Sequence, residues 1–89
     1  MATPGRRGDH EPVYTIGVAE RMTGLSARQI RYYELRGLIK PRRSSGNQRL
    51  YSRAQIDRLK VVKALRQQQM PLEAIMTLLD EEPREDEEK

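Results

Sequence analysis

The chain has 89 residues, with 17 Lys and Arg, 13 Asp and Glu, one His and no Cys. This length fits one small domain, and the lack of cysteine excludes disulfides, thiolate metal sites and cysteine nucleophiles. The net charge of +4 is unevenly distributed. Residues 1–70 hold fifteen basic and five acidic residues, a net charge of +10, whereas residues 71–89 hold two and eight, a net charge of −6. A basic segment of this size favours a polyanionic partner, usually nucleic acid.

The sequence contains no signal of a membrane protein or of an enzyme. No apolar run approaches the roughly 18 residues of a membrane span, and the N-terminus lacks the apolar segment of a signal peptide. We therefore expect a soluble, cytoplasmic protein without a membrane partner. The lone His10 has no catalytic or metal-binding companions, and no glycine-rich loop has phosphate-binding spacing. The prediction is a protein that is not an enzyme and binds no metal or cofactor.

The N-terminal part of the chain contains two short helical segments. Residues 1–12 lack apolar periodicity and are predicted to form a flexible arm. Apolar residues at helical spacing predict a first helix over residues 17–23, which a glycine terminates. Ser26 and Gln29 form a capping-box sequence that starts a second helix, and Gly37 is the expected left-handed residue after its end. Two short helices joined by a turn of about three residues indicate a helix-turn-helix.

A basic hairpin is expected after the second helix. Pro41 prevents the helix from continuing, and residues 44–47 are turn-forming residues between two short flanks. This pattern predicts a β-hairpin with a basic tip rather than an irregular loop.

Two further helices complete the expected domain. A second capping box begins at Ser52 and starts a third helix that extends to about Gln69. The residues that this helix is expected to bury are Ile56, Leu59, Val62 and Leu65. Pro71 suits the first turn of a fourth helix, and residues 83–89 form an acidic tail. The fourth helix is predicted to carry an apolar stripe of Leu72, Ile75, Met76, Leu78 and Leu79. The fold class predicted by this order is mainly α. It is a winged helix-turn-helix domain over residues 13–82, with four helices and a two-stranded β-hairpin wing.

The second helix separates into two faces when it is plotted at 100° per residue. Ile30 and Tyr33 face the core, whereas Arg28, Arg31 and Tyr32 share an exposed stripe. In helix-turn-helix proteins this part of the second helix contacts base edges in the major groove, where an arginine can bind guanine. The same arginines could instead be solvated, with Arg31 paired to the carboxylate three residues further on.

Two stretches of the chain resemble a known family. They are IGVAERMTGLSARQIRYYELRGLIKPRR and NQRLYSRAQIDRL, and they are similar to the DNA-binding domain of MerR-type transcription regulators over about residues 13–79. Within that family, LSARQIRYYE and GNQRL are most similar to the nitrogen-control branch of GlnR and TnrA. The resemblance implies a homodimer that binds an inverted repeat in double-stranded DNA. Its implied role is repression of glutamine synthetase and other nitrogen-metabolism genes.

The resemblance also implies which residues bind DNA. The recognition-helix positions are Arg28, Gln29, Arg31 and Tyr32. The wing positions are Arg42, Arg43, Asn47, Arg49 and Tyr51. Thr15 and Gly17, at the start of the first helix, are expected to bring backbone N–H groups to a phosphate.

Dimerisation and partners are further expectations from the resemblance. Many family members carry a long dimerisation helix and an effector domain, and we expect neither in the ten residues that follow Leu79. The nitrogen-control branch is similar in lacking that long helix, and its C-terminal tail engages glutamine synthetase. Glutamine synthetase is therefore a candidate partner.

Two other functions stay open from the sequence. An excisionase-like architectural protein would use the same wing to bend DNA. A protein-interaction module, for example one that docks on glutamine synthetase, would bind DNA only weakly. A salt titration of DNA binding and a bending assay distinguish these functions from transcription regulation.

Overall fold

The computed structural model describes residues 8–80, which form four helices and one antiparallel β-hairpin. In chain order these are α1 (Ile16–Thr23), α2 (Ala27–Leu35), β1 (Arg42–Arg43), β2 (Arg49–Leu50), α3 (Arg53–Gln67) and α4 (Leu72–Asp80). This element order confirms the mainly α, winged helix-turn-helix prediction.

Short-range caps define the helix-turn-helix. Gly24 has a φ of 80° and ends α1 in the left-handed conformation that favours glycine. The capping box at the start of α2 is fully formed: the Ser26 hydroxyl accepts from the Gln29 N–H, and the Gln29 side chain accepts from the Ser26 N–H. The Glu20 carboxylate of α1 accepts a 2.8 Å hydrogen bond from the Ala27 N–H. This contact crosses the turn and fixes α2 relative to α1.

Helix bounds differ slightly from the predictions. The first helix starts at Ile16, one residue early, because Thr15 is its N-cap. The third helix ends at Gln67, two residues before the predicted end, and Gln69 adopts a left-handed φ of 68° in the turn that follows. The fourth helix begins at Leu72, directly after the proline expected in its first turn.

One hydrophobic core supports all the helices. Its buried members are Ala19, Leu25, Ile30, Tyr33, Leu38, Ile39, Tyr51, Ile56, Leu59, Val62, Leu72, Ile75 and Leu79. Of the apolar stripe predicted on the fourth helix, Leu78 is 44% exposed and Met76 is only partly buried. Leu65, expected to be buried on the third helix, is also only partly buried. The core therefore covers a narrower face of these two helices than their sequences indicated.

The N-terminal segment touches the domain where the structure describes it. The Asp9 carbonyl accepts a 2.8 Å hydrogen bond from the Ala54 N–H at the start of α3. Residues 8–12 of the predicted arm therefore include a contact with the folded domain. Residues 1–7 and the predicted acidic tail at 83–89 lie outside the described residues. Within residues 8–80, none of the helices is long and apolar enough to cross a membrane.

Candidate nucleic-acid interface

The outward face of α2 carries four of the predicted DNA-binding side chains. Ile30 is completely buried and Tyr33 is 7% exposed, so this side of α2 faces the core as predicted. The four predicted DNA-binding residues of this helix are all exposed: Arg28, Gln29, Arg31 and Tyr32. The two adjacent tyrosines point in different directions, since Tyr32 is 47% exposed whereas Tyr33 packs in the core. The face is therefore both basic and aromatic.

Tyr32 is held by an arginine one turn later. Arg36 donates a 2.9 Å hydrogen bond from Nη1 to the Tyr32 hydroxyl, and its guanidinium carbon lies 5.8 Å from the ring centroid. The hydrogen bond to Tyr32 raises the pKa of Arg36, and the nearby Glu73 raises it further. Because the Tyr32 oxygen accepts from Arg36, its own proton is available for another acceptor, such as a phosphate.

An open cleft lies between α2 and the turn that joins α3 to α4. It has a volume of about 680 Å³. Its polar lining consists of Arg28, Gln29, Tyr32, Arg36, Arg66 and Glu73. Among the described residues that line the cleft, Glu73 supplies the only carboxylate, which lies 3.5 Å from Arg36 Nη2. Besides Arg36 on α2, the cleft thus adds two charged groups that the sequence-based site did not include, Arg66 on α3 and Glu73 on α4. No short-range pattern in the sequence marks them.

The wing is short and has a tightly hydrogen-bonded tip. Its register pairs Arg42 with Leu50 and Arg43 with Arg49. At the tip, Asn47 has a left-handed φ of 64°, and its carbonyl accepts a 3.0 Å hydrogen bond from Arg43 Nη1. Arg42, Arg43 and Asn47 are all exposed, as a surface that contacts a DNA backbone requires.

Arg49 lies between the wing and α2. Its Nε is 2.7 Å from Glu34 Oε1, and the two side chains are 29% and 25% exposed. The sequence allowed Glu34 to pair with Arg31, but the structure pairs it with Arg49 instead. This ion pair also offsets the repulsion between Arg49 and Arg43, which are directly opposite each other in the hairpin. Arg49 is thus placed to position the wing.

Tyr51 belongs to the core rather than to the exposed surface. It has no solvent-exposed area, and its hydroxyl has no hydrogen-bond partner within residues 8–80. Its backbone pairs with Tyr14, which connects the N-terminal segment to the base of the wing. Burial raises the pKa of the Tyr51 phenol, and Glu34 raises it further. The ring therefore does not form part of a DNA-facing surface in this structure, contrary to the expectation from the sequence.

The start of α1 has the geometry expected for a phosphate contact. Thr15 is the N-cap, and its Oγ1 accepts a 3.4 Å hydrogen bond from the Val18 N–H. The N–H groups of Ile16 and Gly17 have no acceptor within residues 8–80. Backbone donors of this kind at a helix N-terminus are suited to an anion.

The winged helix-turn-helix fold and its exposed basic surface are those of a known protein family. The sequence profile described as "MerR HTH family regulatory protein" matches residues 14–82. The chain belongs to this family.

Individual relatives agree with that assignment. The chain is 43% identical over 68 residues to the HTH-type transcriptional regulator GlnR of Bacillus anthracis, covering 76% of this chain and 53% of the relative. It is 49% identical over 59 residues to the HTH-type transcriptional regulator TnrA of Bacillus subtilis, covering 66% and 54%. The chain spans about half the length of these curated relatives.

A solved structure supports the fold independently. The crystal structure of the HTH-type transcriptional regulator SkgA from Caulobacter crescentus superposes with a TM-score of 0.69 at 32% sequence identity. The match covers 85% of this chain and 55% of that one. The winged helix-turn-helix architecture is therefore shared with a MerR-type regulator of known structure.

Proposed function

We propose that this protein is a sequence-specific DNA-binding transcription regulator that places α2 in the major groove and the wing against the DNA backbone. The observation that carries this proposal is the ion pair between Glu34 and Arg49, because it joins two exposed basic elements into one surface. One of these elements is a helix, which fits a major groove, and the other is a projecting hairpin.

In this proposal α2 and the wing make different kinds of contact with DNA. Arg28, Arg31 and Tyr32 on α2 read base edges or contact phosphate, with Gln29 beside them. Arg42, Arg43 and Asn47 on the wing supply affinity for phosphate, which does not depend on sequence. The free N–H groups at the start of α1, next to Thr15 and Gly17, contact a further phosphate.

Dimerisation and gene targets form a finer part of the proposal. The names of the relatives GlnR and TnrA, and the resemblance to the nitrogen-control branch, support a cytoplasmic repressor of nitrogen-metabolism genes that is not an enzyme. We propose that it binds an inverted repeat as a homodimer. Glutamine synthetase is proposed as a protein partner on that resemblance alone.

Selection from random duplexes tests the function directly. Purified protein is mixed with duplexes that contain a randomised region, and the bound fraction is sequenced over several rounds. We expect two inverted half-sites whose centres are separated by about one helical turn of DNA or a multiple of it. Recovery of no preferred sequence would contradict sequence-specific regulation. A single asymmetric site, or strong bending of every duplex, would favour an architectural role.

A further inference from the structure

Leu35, the last residue of α2, has an apolar side chain that is almost fully exposed to solvent. It is 82% exposed, whereas the other exposed large hydrophobic residues within residues 8–80 are between 44% and 57% exposed. Burial in the core therefore does not explain why a leucine occupies this position. An isolated exposed leucine is common on protein surfaces, so its significance depends on which face of the helix it occupies.

Leu35 lies on the face of α2 that is proposed to enter the major groove. It comes seven residues after Arg28, so at 100° per residue the two side chains point in directions only about 20° apart. Arg31 and Tyr32, one turn before Leu35, lie on either side of it and are both exposed. Leu35 is thus an apolar group in line with the proposed base-reading arginine.

We infer that Leu35 contacts the C5 methyl group of a thymine and so adds a base preference to the operator. This inference rests on the proposed function. The thymine methyl is the apolar group that a base pair presents in the major groove, and an apolar side chain is its complement. The axial distance between Arg28 and Leu35 is about 10 Å, or roughly three base steps, if the helix axis follows the groove. The thymine should therefore lie in the same half-site as the base read by Arg28.

Replacing thymine by deoxyuridine tests this contact, because it removes only the C5 methyl group. After an operator has been selected, each thymine of one half-site is replaced in turn, and the affinity of each duplex is measured for the wild type and for Leu35→Ala. For the wild type, one position should lose about fourfold in affinity, the value of one buried methyl group. Leu35→Ala should show no further loss at that position, because the contact is already absent.

A second exposed leucine provides a matched control. Leu78 is 44% exposed and lies on α4 rather than on α2. The Leu78→Ala variant should retain the wild-type response to deoxyuridine at every position. Circular dichroism checks that both variants are folded, and leucine and alanine have similar helix propensities.

The outcomes separate the inference from the function on which it rests. If deoxyuridine has the same effect on Leu35→Ala as on the wild type at every thymine, the inference is wrong although the protein still reads DNA. The inference is also wrong if Leu35→Ala binds every duplex as tightly as the wild type. That result would favour a contact between Leu35 and a protein partner. If the selection yields no operator, the proposed function fails, and this inference fails with it.

Discussion

The carboxylate of Glu34 and the guanidinium of Arg49 are 2.7 Å apart and join the recognition helix to the wing. Both side chains are more than two-thirds buried, so this pair is less screened by solvent than a surface pair. The two basic elements proposed to bind DNA are thus connected through an acidic residue. Their relative orientation depends on a contact that itself need not touch DNA.

A double-mutant cycle should show that this pair is energetically coupled. We expect Glu34→Gln and Arg49→Gln to have a coupling energy of about 1 kcal/mol, measured by urea denaturation of both single variants and the double variant. The exposed pair Arg53 and Asp57 is the control, since its atoms are 3.3 Å apart but the side chains are 45% and 56% exposed. Its coupling should be about 0.3–0.5 kcal/mol, as is usual for an exposed helical pair. Equal coupling in the two cycles would contradict a positioning role.

The salt dependence of DNA binding should distinguish a positioning arginine from a phosphate-binding one. Arg49→Gln should lower the affinity while the slope of log K against log salt stays unchanged. Arg42→Gln should reduce that slope by about 0.9, the value for one lost phosphate contact. Within residues 8–80 the Arg42 side chain makes no hydrogen bond or ion pair, and its strand pairing with Leu50 involves only the backbone, so the substitution should leave the wing intact. A reduced slope for Arg49→Gln would show that Arg49 contacts DNA, as the sequence predicted.

Base selectivity should depend on α2 rather than on the wing. Arg31→Ala should reduce affinity for the selected operator and relax its base preference by about 1–3 kcal/mol at one position, as expected for a bidentate arginine–guanine contact. Arg43→Ala should weaken binding to all duplexes by a similar factor, since wing arginines are proposed to contact phosphate. Mobility-shift titrations on the operator and on single-base variants measure both effects. Equal losses on every sequence for both variants would refute the division of labour.

Glu73 should oppose DNA binding. Within residues 8–80 it is the only carboxylate that lines the cleft, together with Arg28, Arg36 and Arg66. The cleft adjoins a face that is proposed to approach phosphates. Glu73→Gln should therefore raise DNA affinity by about two- to fivefold at low salt, and the gain should shrink as salt increases. Asp57→Asn removes one negative charge elsewhere on the domain and serves as the control. An equal gain for both variants would indicate a general effect of net charge.

The buried phenol of Tyr51 should make stability sensitive to alkaline pH. Its folded-state pKa is raised by burial and by Glu34, although three nearby arginines act in the opposite direction. Above about pH 10 the unfolded chain loses this proton first, so the free energy of unfolding falls with rising pH until the folded pKa is reached. Below that range the phenol is neutral in both states and contributes no pH dependence.

Tyr51→Phe isolates this effect. Urea denaturation at several values between pH 8 and about 11 should show a smaller alkaline loss for the variant than for the wild type. At neutral pH the variant should be as stable as the wild type or more stable by about 1 kcal/mol, because a buried hydroxyl without a protein partner is removed. Parallel curves for the two proteins would contradict the raised pKa.

The elements of this protein could be read from its sequence because their signals are local. The capping boxes at Ser26 and Ser52 operate within four residues, and both form in the structure as expected. Gly37 adopts the predicted left-handed backbone, and Gly24 ends the first helix as predicted. The helical periodicity of α2 predicted that Tyr32 is exposed and that Tyr33 is buried. These features depend only on chain geometry over one or two helical turns, which the sequence specifies directly.

The tertiary structure decided which side chains remain available on the predicted surface. Arg49 and Tyr51 lie in a basic hairpin and resembled surface residues, but one pairs with Glu34 and the other is buried. Arg66 and Glu73 join the cleft beside α2 although they are at least thirty positions further along the chain than Arg36. Charge pairing and burial depend on distances between elements, and helical periodicity carries no information about those distances. The sequence thus determined the helices, the hairpin and their outward faces. Packing determined which basic side chains stay exposed and unpaired, and so can bind DNA.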